Sequence, residues 1–161
     1  MHVSLIPINE IIKLNTRLLI NSLKDVNSDL AGRRISNNTN SIIFITCHVL
    51  DARYYLTNLI GYKIESPFKE LFDEINSIDE LTNPPSIDEL KNSWLEISKT
   101  LENYLPKDNN ELLLKESTIK FPVSDISILG SITFFVEHES YHIGQISLIR
   151  KFFNLPAMKY Y

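Results

Sequence analysis

Cysteine and glycine are scarce in this chain of 161 residues, which contains one cysteine and four glycines. The single thiol, Cys47, excludes a disulfide-stapled scaffold and fits the reducing environment of the cytosol, so we expect a cytoplasmic protein. The length predicts a single domain, residues 1–161, that can bury a hydrophobic core without such staples.

Long hydrophobic runs and an excess of positive charge are also missing. No apolar segment approaches the roughly 20 residues that span a bilayer, and no basic region precedes an apolar one at the N-terminus, as in a signal peptide. The net charge of −4 has the wrong sign for a protein that binds nucleic acid through its phosphates. We therefore expect neither a membrane nor a nucleic acid as a partner.

Seven prolines divide the chain and leave residues 8–66, 86–105 and 123–155 free of proline. An interior proline costs a helix about 3 kcal/mol, so helices are expected in these stretches. The apolar spacing predicts four of them, at about 8–26, 41–60, 86–105 and 125–153. A capping box at Ser86 and Glu89 begins the third, and Ser124 is expected to cap the fourth. Gly61, in a left-handed conformation, is expected to end the second, and Asn154 the fourth.

The connections between these helices are predicted to be mostly irregular. The polar segment 28–40 is interpreted as a loop, residues 62–85 as a connection with one short helix at 68–75, and residues 107–123 as irregular with an extended piece at 118–121. Because no strand pattern is long enough for a sheet, the sequence predicts an all-α fold, a four-helix bundle.

Three of the four histidines fall within predicted helices. His138 and His142 lie one turn apart in the fourth helix, about 40° from each other around its axis and beside the apolar stripe. His48 lies near the middle of the second helix and borders an apolar face as well. Three neutral imidazoles with an open coordination position are typical of a catalytic metal site, so these three histidines are the candidate ligands of a divalent metal.

Other interpretations of the same residues stay open. Core histidines are more often hydrogen-bonded to carbonyls or water, which would give a metal-free bundle. Residues 138–142 match the H-E-x-x-H motif of zinc proteases, but residues 143–161 contain no His, Asp or Glu that could complete such a site. A carboxylate-bridged di-iron site is disfavoured because the second predicted helix has no glutamate.

Residues next to the histidines allow further expectations. Glu139 is expected either to support a ligand or polarise a metal-bound water, or to be a solvated surface residue. Gln145 either hydrogen-bonds near the site or lies at a dimer face, and Asp51 is another neighbour. Gly144 is expected to let another helix approach closely, because an interior helical glycine costs about 1 kcal/mol. Cys47 is expected to be a small buried hydrophobe.

The histidine pattern resembles the DinB/YfiT-like family of metalloenzymes. The segments TCHVLD (46–51) and HESYHIGQI (138–146) carry the resemblance, the second being similar to the family's H-x-x-x-H-x-G-Q signature. The resemblance implies a four-helix bundle of up-down-down-up topology. It also implies a homodimer, and a metal site in which His48, His138 and His142 hold zinc, nickel, iron or manganese.

Two functions are compatible with these expectations. One is a metal-dependent transferase or hydrolase acting on an unknown small-molecule substrate, and the resemblance suggests a low-molecular-weight thiol. The other is a non-catalytic metal-binding or dimeric stress-related bundle protein.

Overall fold

A computed structural model describes residues 3–73, 83–105 and 110–161. Within these ranges the protein is all-helical, with seven helices and no strand, which confirms the predicted fold class. Four helices are long: α1 (Leu5–Ser22), α3 (Ile42–Leu59), α5 (Ile87–Tyr104) and α7 (Ile128–Phe152). Three have five residues each: α2 (Ser28–Gly32), α4 (Lys69–Asp73) and α6 (Asn110–Leu114).

The long helices agree with the predicted ones to within a few residues. The capping box before α5 is present, since the Ser86 hydroxyl accepts from the Glu89 amide and the Ser86 amide donates to the Glu89 carboxylate. The prediction that Ser124 caps the last helix is wrong. The Ser127 hydroxyl accepts from the Gly130 amide instead, so α7 begins at Ile128.

Two segments predicted to be irregular contain short helices. The helix α2 lies inside 28–40, where the Asn27 side chain accepts from the Leu30 amide and caps the first turn, and α6 lies inside 107–123. The predicted helix 68–75 corresponds to α4, and its last two residues fall outside the described ranges. The segment 118–121 is not a strand. An isolated antiparallel bridge pairs Glu116 with Ser127 instead.

The chain leaves α3 through a left-handed glycine, as the sequence predicts. Gly61 has a φ of 98°, its amide donates to the Asn58 carbonyl, and the Tyr62 amide donates to the Thr57 carbonyl. This is the Schellman arrangement, which satisfies carbonyls that the helix end leaves open. Asn154, with a φ of 60°, ends α7 in the same way, at the predicted position.

The helices α5 and α7 each pack against both α1 and α3. Their apolar faces form a core of two clusters, one around Leu50 and Trp94 and the other around Leu56, Leu101 and Ile132. Among the described helices, none has both the length and the apolar character that crossing a membrane requires.

The expectation for Gly144 is not met within the described part of the chain. A Cβ atom built at Gly144 meets no atom within 4 Å, so no neighbouring helix approaches it there. At Gly130, on the same helix, a Cβ would lie 2.1 Å from the carbonyl oxygen of Asp125.

These two glycines provide a matched pair of substitutions. We expect Gly144→Ala to raise the free energy of unfolding by about 1 kcal/mol, because alanine is the better helix former. We expect Gly130→Ala to lower it by about 1–3 kcal/mol, because the added methyl group overlaps backbone atoms. Urea denaturation of both variants measures the difference, and the opposite order would contradict the packing around α7.

Candidate metal site

The contact between α3 and α7 brings the three predicted ligands together. The Nε2 atom of His48 lies 3.0 Å from Nε2 of His138, which in turn lies 3.1 Å from Nε2 of His142. One ligand atom from each residue lies within 4.8 Å of the other two. The three histidines therefore form a cluster that could hold a metal ion.

The nitrogen separations fit an ion at the centre of the cluster. With metal–nitrogen bonds of about 2.0–2.1 Å, two ligand nitrogens are about 2.9 Å apart at a right angle and about 3.3 Å apart at the tetrahedral angle. The separations of 3.0 and 3.1 Å lie between these values. These two separations fit an ion as they stand, whereas the third pair of ligand atoms, on His48 and His142, is known only to lie within 4.8 Å and sets how far the side chains must adjust.

A neighbouring amide fixes the tautomer of His142. The Gln145 side-chain nitrogen donates to the Tyr141 hydroxyl at 3.0 Å, which directs the Gln145 oxygen to Nδ1 of His142 at 2.7 Å. That Nδ1 carries the hydrogen and donates it, so the Nε2 atom of the neutral ring presents a lone pair to the cluster. Metal-binding histidines use this arrangement. Of the two roles expected for Gln145, the hydrogen bond near the site is confirmed.

Hydrogen bonds among the rings do not account for the cluster as well as an ion does. A ring nitrogen offers either one lone pair or one hydrogen, yet Nε2 of His138 lies close to two other Nε2 atoms. The Nδ1 atom of His138, on the other side of the ring, is buried without a hydrogen-bond partner in the described protein, and an ion bound at Nε2 would not supply one. A metal ion at the centre would accept one lone pair from each of the three rings.

The electrostatics of the site favour neutral imidazoles. Burial lowers the pKa of each of the three histidines, and for His138 burial and the neighbouring His142 and His48 lower it to about 4. Around His48, the carboxylate of Asp51 opposes this effect. Each of the three residues is partly exposed. The histidines are therefore expected to be neutral near pH 7, the form that donates a lone pair to a metal ion.

Aromatic rings form one wall of the cluster. The ring centroid of Phe134 lies 5.7 Å from that of His138, and Phe121 stacks on Phe134 at 5.0 Å. Phe135 and Tyr55 extend this wall towards α3. Phe121 comes from a segment predicted to be irregular, so no periodic pattern could have assigned it to the site.

The position of Glu139 contradicts both sequence interpretations of this residue. It is fully buried, and its carboxylate accepts from Nε and Nη2 of Arg53 at 2.7 and 2.5 Å. Successive helical residues point about 100° apart, so His138 reaches the half-exposed cluster while Glu139 enters the core. Arg53 was not among the predicted functional residues, although an arginine within the apolar stretch of α3 requires a buried partner.

Cys47 is buried, as predicted, and burial raises the pKa of its thiol to about 12. A thiol with such a pKa stays protonated at neutral pH and is neither a nucleophile nor a metal ligand.

Comparison with known proteins does not assign the chain to a family. No protein-family model matches it, and the search of curated proteins found no match. The functional interpretation therefore depends on the residues of the histidine cluster.

The metal-free protein is expected to lose stability as the pH falls below about 6.5. Between this ordinary pKa of histidine and about 4, the unfolded chain takes up a proton that His138 in the folded protein does not. Urea denaturation between pH 7 and pH 4 in the presence of a chelator measures the effect. The His138→Phe variant serves as the control, because it retains the titrating carboxylates. Equal pH dependence of the two proteins would contradict the lowered pKa.

Proposed function

We propose that this protein binds a divalent metal ion through His48, His138 and His142 and is a metal-dependent transferase or hydrolase of the DinB/YfiT-like type. The observation that carries the proposal is the convergence of three half-buried imidazoles from two helices, with Nε2 atoms 3.0 and 3.1 Å apart. Imidazole binds several divalent ions, so zinc, nickel, iron and manganese are all candidates. A homodimer and a thiol substrate stay predictions.

We also infer an up-down-down-up bundle, and contacts of α7 with its two neighbours support it. Residues later in α1 contact residues later in α7: the Asn15 side chain donates to Glu139, and the Ser22 carbonyl accepts from Arg150. This is the pattern of parallel helices. Along α3 and α7 they advance in opposite directions, because the His48 ring meets His142 whereas the later ring of Tyr55 meets the earlier Phe135.

Contacts of α5 support the same topology. Arg53 on α3 meets Ser98, and Tyr62 just beyond α3 meets Tyr104, so α3 and α5 run in the same direction. A bundle in which α1 is parallel to α7 and α3 is parallel to α5 has the up-down-down-up order. The long connection between α3 and α5 is what two parallel neighbours require.

The arrangement of the site supports catalysis rather than purely structural binding. A divalent ion held there would act as a Lewis acid towards a thiol or a substrate oxygen. The chain contributes three neutral donors, holds His142 in its binding tautomer through Gln145, and excludes water along the aromatic side. The three histidine residues are each partly exposed, and the proposal requires that this exposure include the remaining coordination positions.

Metal binding is tested by titrating the chelator-treated protein with zinc. We expect one ion per chain and, at a free zinc concentration of 100 times Kd, an increase of about 2.7 kcal/mol in the free energy of unfolding. His48→Ala, His138→Ala and His142→Ala should each abolish or greatly weaken binding, whereas His2→Ala should not. The absence of stoichiometric metal after purification, together with no binding on titration, would contradict the proposal.

Catalysis is tested by following consumption of a small electrophile, such as monochlorobimane, in the presence of cysteine as the thiol. We expect turnover by the zinc-, nickel-, iron- or manganese-loaded protein, and at least a hundredfold loss in His142→Ala, in line with losses on removing a transition-state stabilising group. If the unmodified protein binds metal and turns over the substrate, but His142→Ala retains full turnover, the metal site is not the catalytic centre. If the loaded protein shows no turnover with thiols or simple esters, the non-catalytic alternative is favoured.

A further inference from the structure

A buried ion pair joins α3 to α7, the same two helices that carry the histidine cluster. Arg53 follows His48 on α3, and Glu139 follows His138 on α7. Both charged side chains are fully buried, and two parallel hydrogen bonds of 2.7 and 2.5 Å join them. The planar fork of arginine makes both bonds only when the two groups face each other in one orientation.

The surrounding groups hold the arginine from the other two long helices. Its Nη1 atom donates to the Thr16 hydroxyl on α1 at 2.7 Å and to the Ser98 hydroxyl on α5 at 2.6 Å. The guanidinium carbon lies 3.5 Å from the ring centroid of Trp94. Arg53 therefore contacts groups from α1, α5 and α7 at one level of the fold.

Stability alone does not explain such a pair. Buried ion pairs are often no more stabilising than well-packed apolar residues of similar volume, because both charges lose their hydration. Their geometry, in contrast, is restrictive. A slip of one residue between α3 and α7 would move His48 by about 1.5 Å along the axis, whereas metal–ligand distances tolerate only about 0.2 Å.

We propose that Arg53 and Glu139 form a positioning pair that sets the register of α3 against α7 and thereby holds His48 within bonding distance of an ion bound by His138 and His142. This inference rests on the proposed function, since it assumes that the cluster binds metal. Neither residue is one of the three proposed ligands, so the pair acts through the placement of His48.

The test replaces the pair with apolar residues of similar size, as Arg53→Met together with Glu139→Leu, and measures zinc affinity by competition with a chromophoric chelator. We expect a folded protein whose Kd for zinc is at least tenfold higher than that of the unmodified protein. The visible absorption of the Co²⁺-loaded variant should also change, because His48 would no longer complete the coordination sphere.

Arg150→Met is the matched control. Arg150 is a second buried arginine, which donates to the carbonyls of Ser22 and Lys24 at the end of α1 and does not join α3 to α7. Its replacement should lower the urea midpoint of unfolding. The zinc Kd should stay within twofold of that of the unmodified protein, and the Co²⁺ spectrum should not change. Weaker zinc binding in this control, equal to that of the double variant, would assign the loss to general destabilisation and overturn the inference.

The remaining outcomes distinguish the inference from the proposed function. If the unmodified protein binds no zinc, the proposed function itself fails. If it binds zinc and the double variant binds equally well with the same Co²⁺ spectrum, only the positioning role fails. Should the double variant not fold, Arg53→Lys keeps the charge but loses the fork, and an unchanged zinc Kd in that variant would overturn the inference.

Discussion

The structure of this protein depends on how two charges are accommodated in its interior. Arg53 and Glu139 are fully buried, and together with Asn15, Thr16 and Ser98 they form a polar network between the two apolar clusters of the core. An unpaired charge in that position would be very costly, so the network permits few arrangements of the long helices. The apolar residues supply most of the driving force for folding, while the network restricts the relative placement of the helices.

The histidine cluster differs from this network, because hydrogen bonds between its rings cannot satisfy all of the ring nitrogens that meet there. Nε2 of His138 lies within hydrogen-bonding distance of two other ring nitrogens, although it can share only one hydrogen or one lone pair. Such an arrangement costs folding free energy unless a ligand is bound. The fold thus combines a satisfied polar network, which orders the helices, with an adjacent cluster that gains most from an added ion. This combination is the strongest structural argument for a functional site.

The sequence predicted the parts of this structure that depend on local patterns. Proline-free periodic stretches located the four long helices, Ser86 and Glu89 located one of their ends, and Gly61 and Asn154 located two others. The three histidines were also found, because two share a turn of one helix and the third borders an apolar face of another. The helices α2 and α6 were not predicted, because five residues are too few to show a helical period.

The long-range pairings could not be predicted from one sequence. Arg53 and Glu139 are 86 residues apart, and Glu139 points about 100° away from the neighbouring His138. A helical wheel places Glu139 within the stripe of Ile128, Ile132 and Ile146, which favours its burial, but only the packing of α3 identifies Arg53 as its partner. Phe121 reaches the cluster from an irregular segment, whose path depends on the completed fold.

Cys47, the residue next to His48, affects the charge of the proposed metal centre. Cys47 is turned into the core and keeps its proton, so it adds no thiolate beside the three imidazoles. An ion held by neutral donors alone would keep its full double positive charge. Such a centre attracts anions from solution, and by the Irving–Williams order Cu²⁺ would bind it more tightly than zinc or nickel. The metal carried in the cell would then follow from which ions are available there rather than from the selectivity of the site.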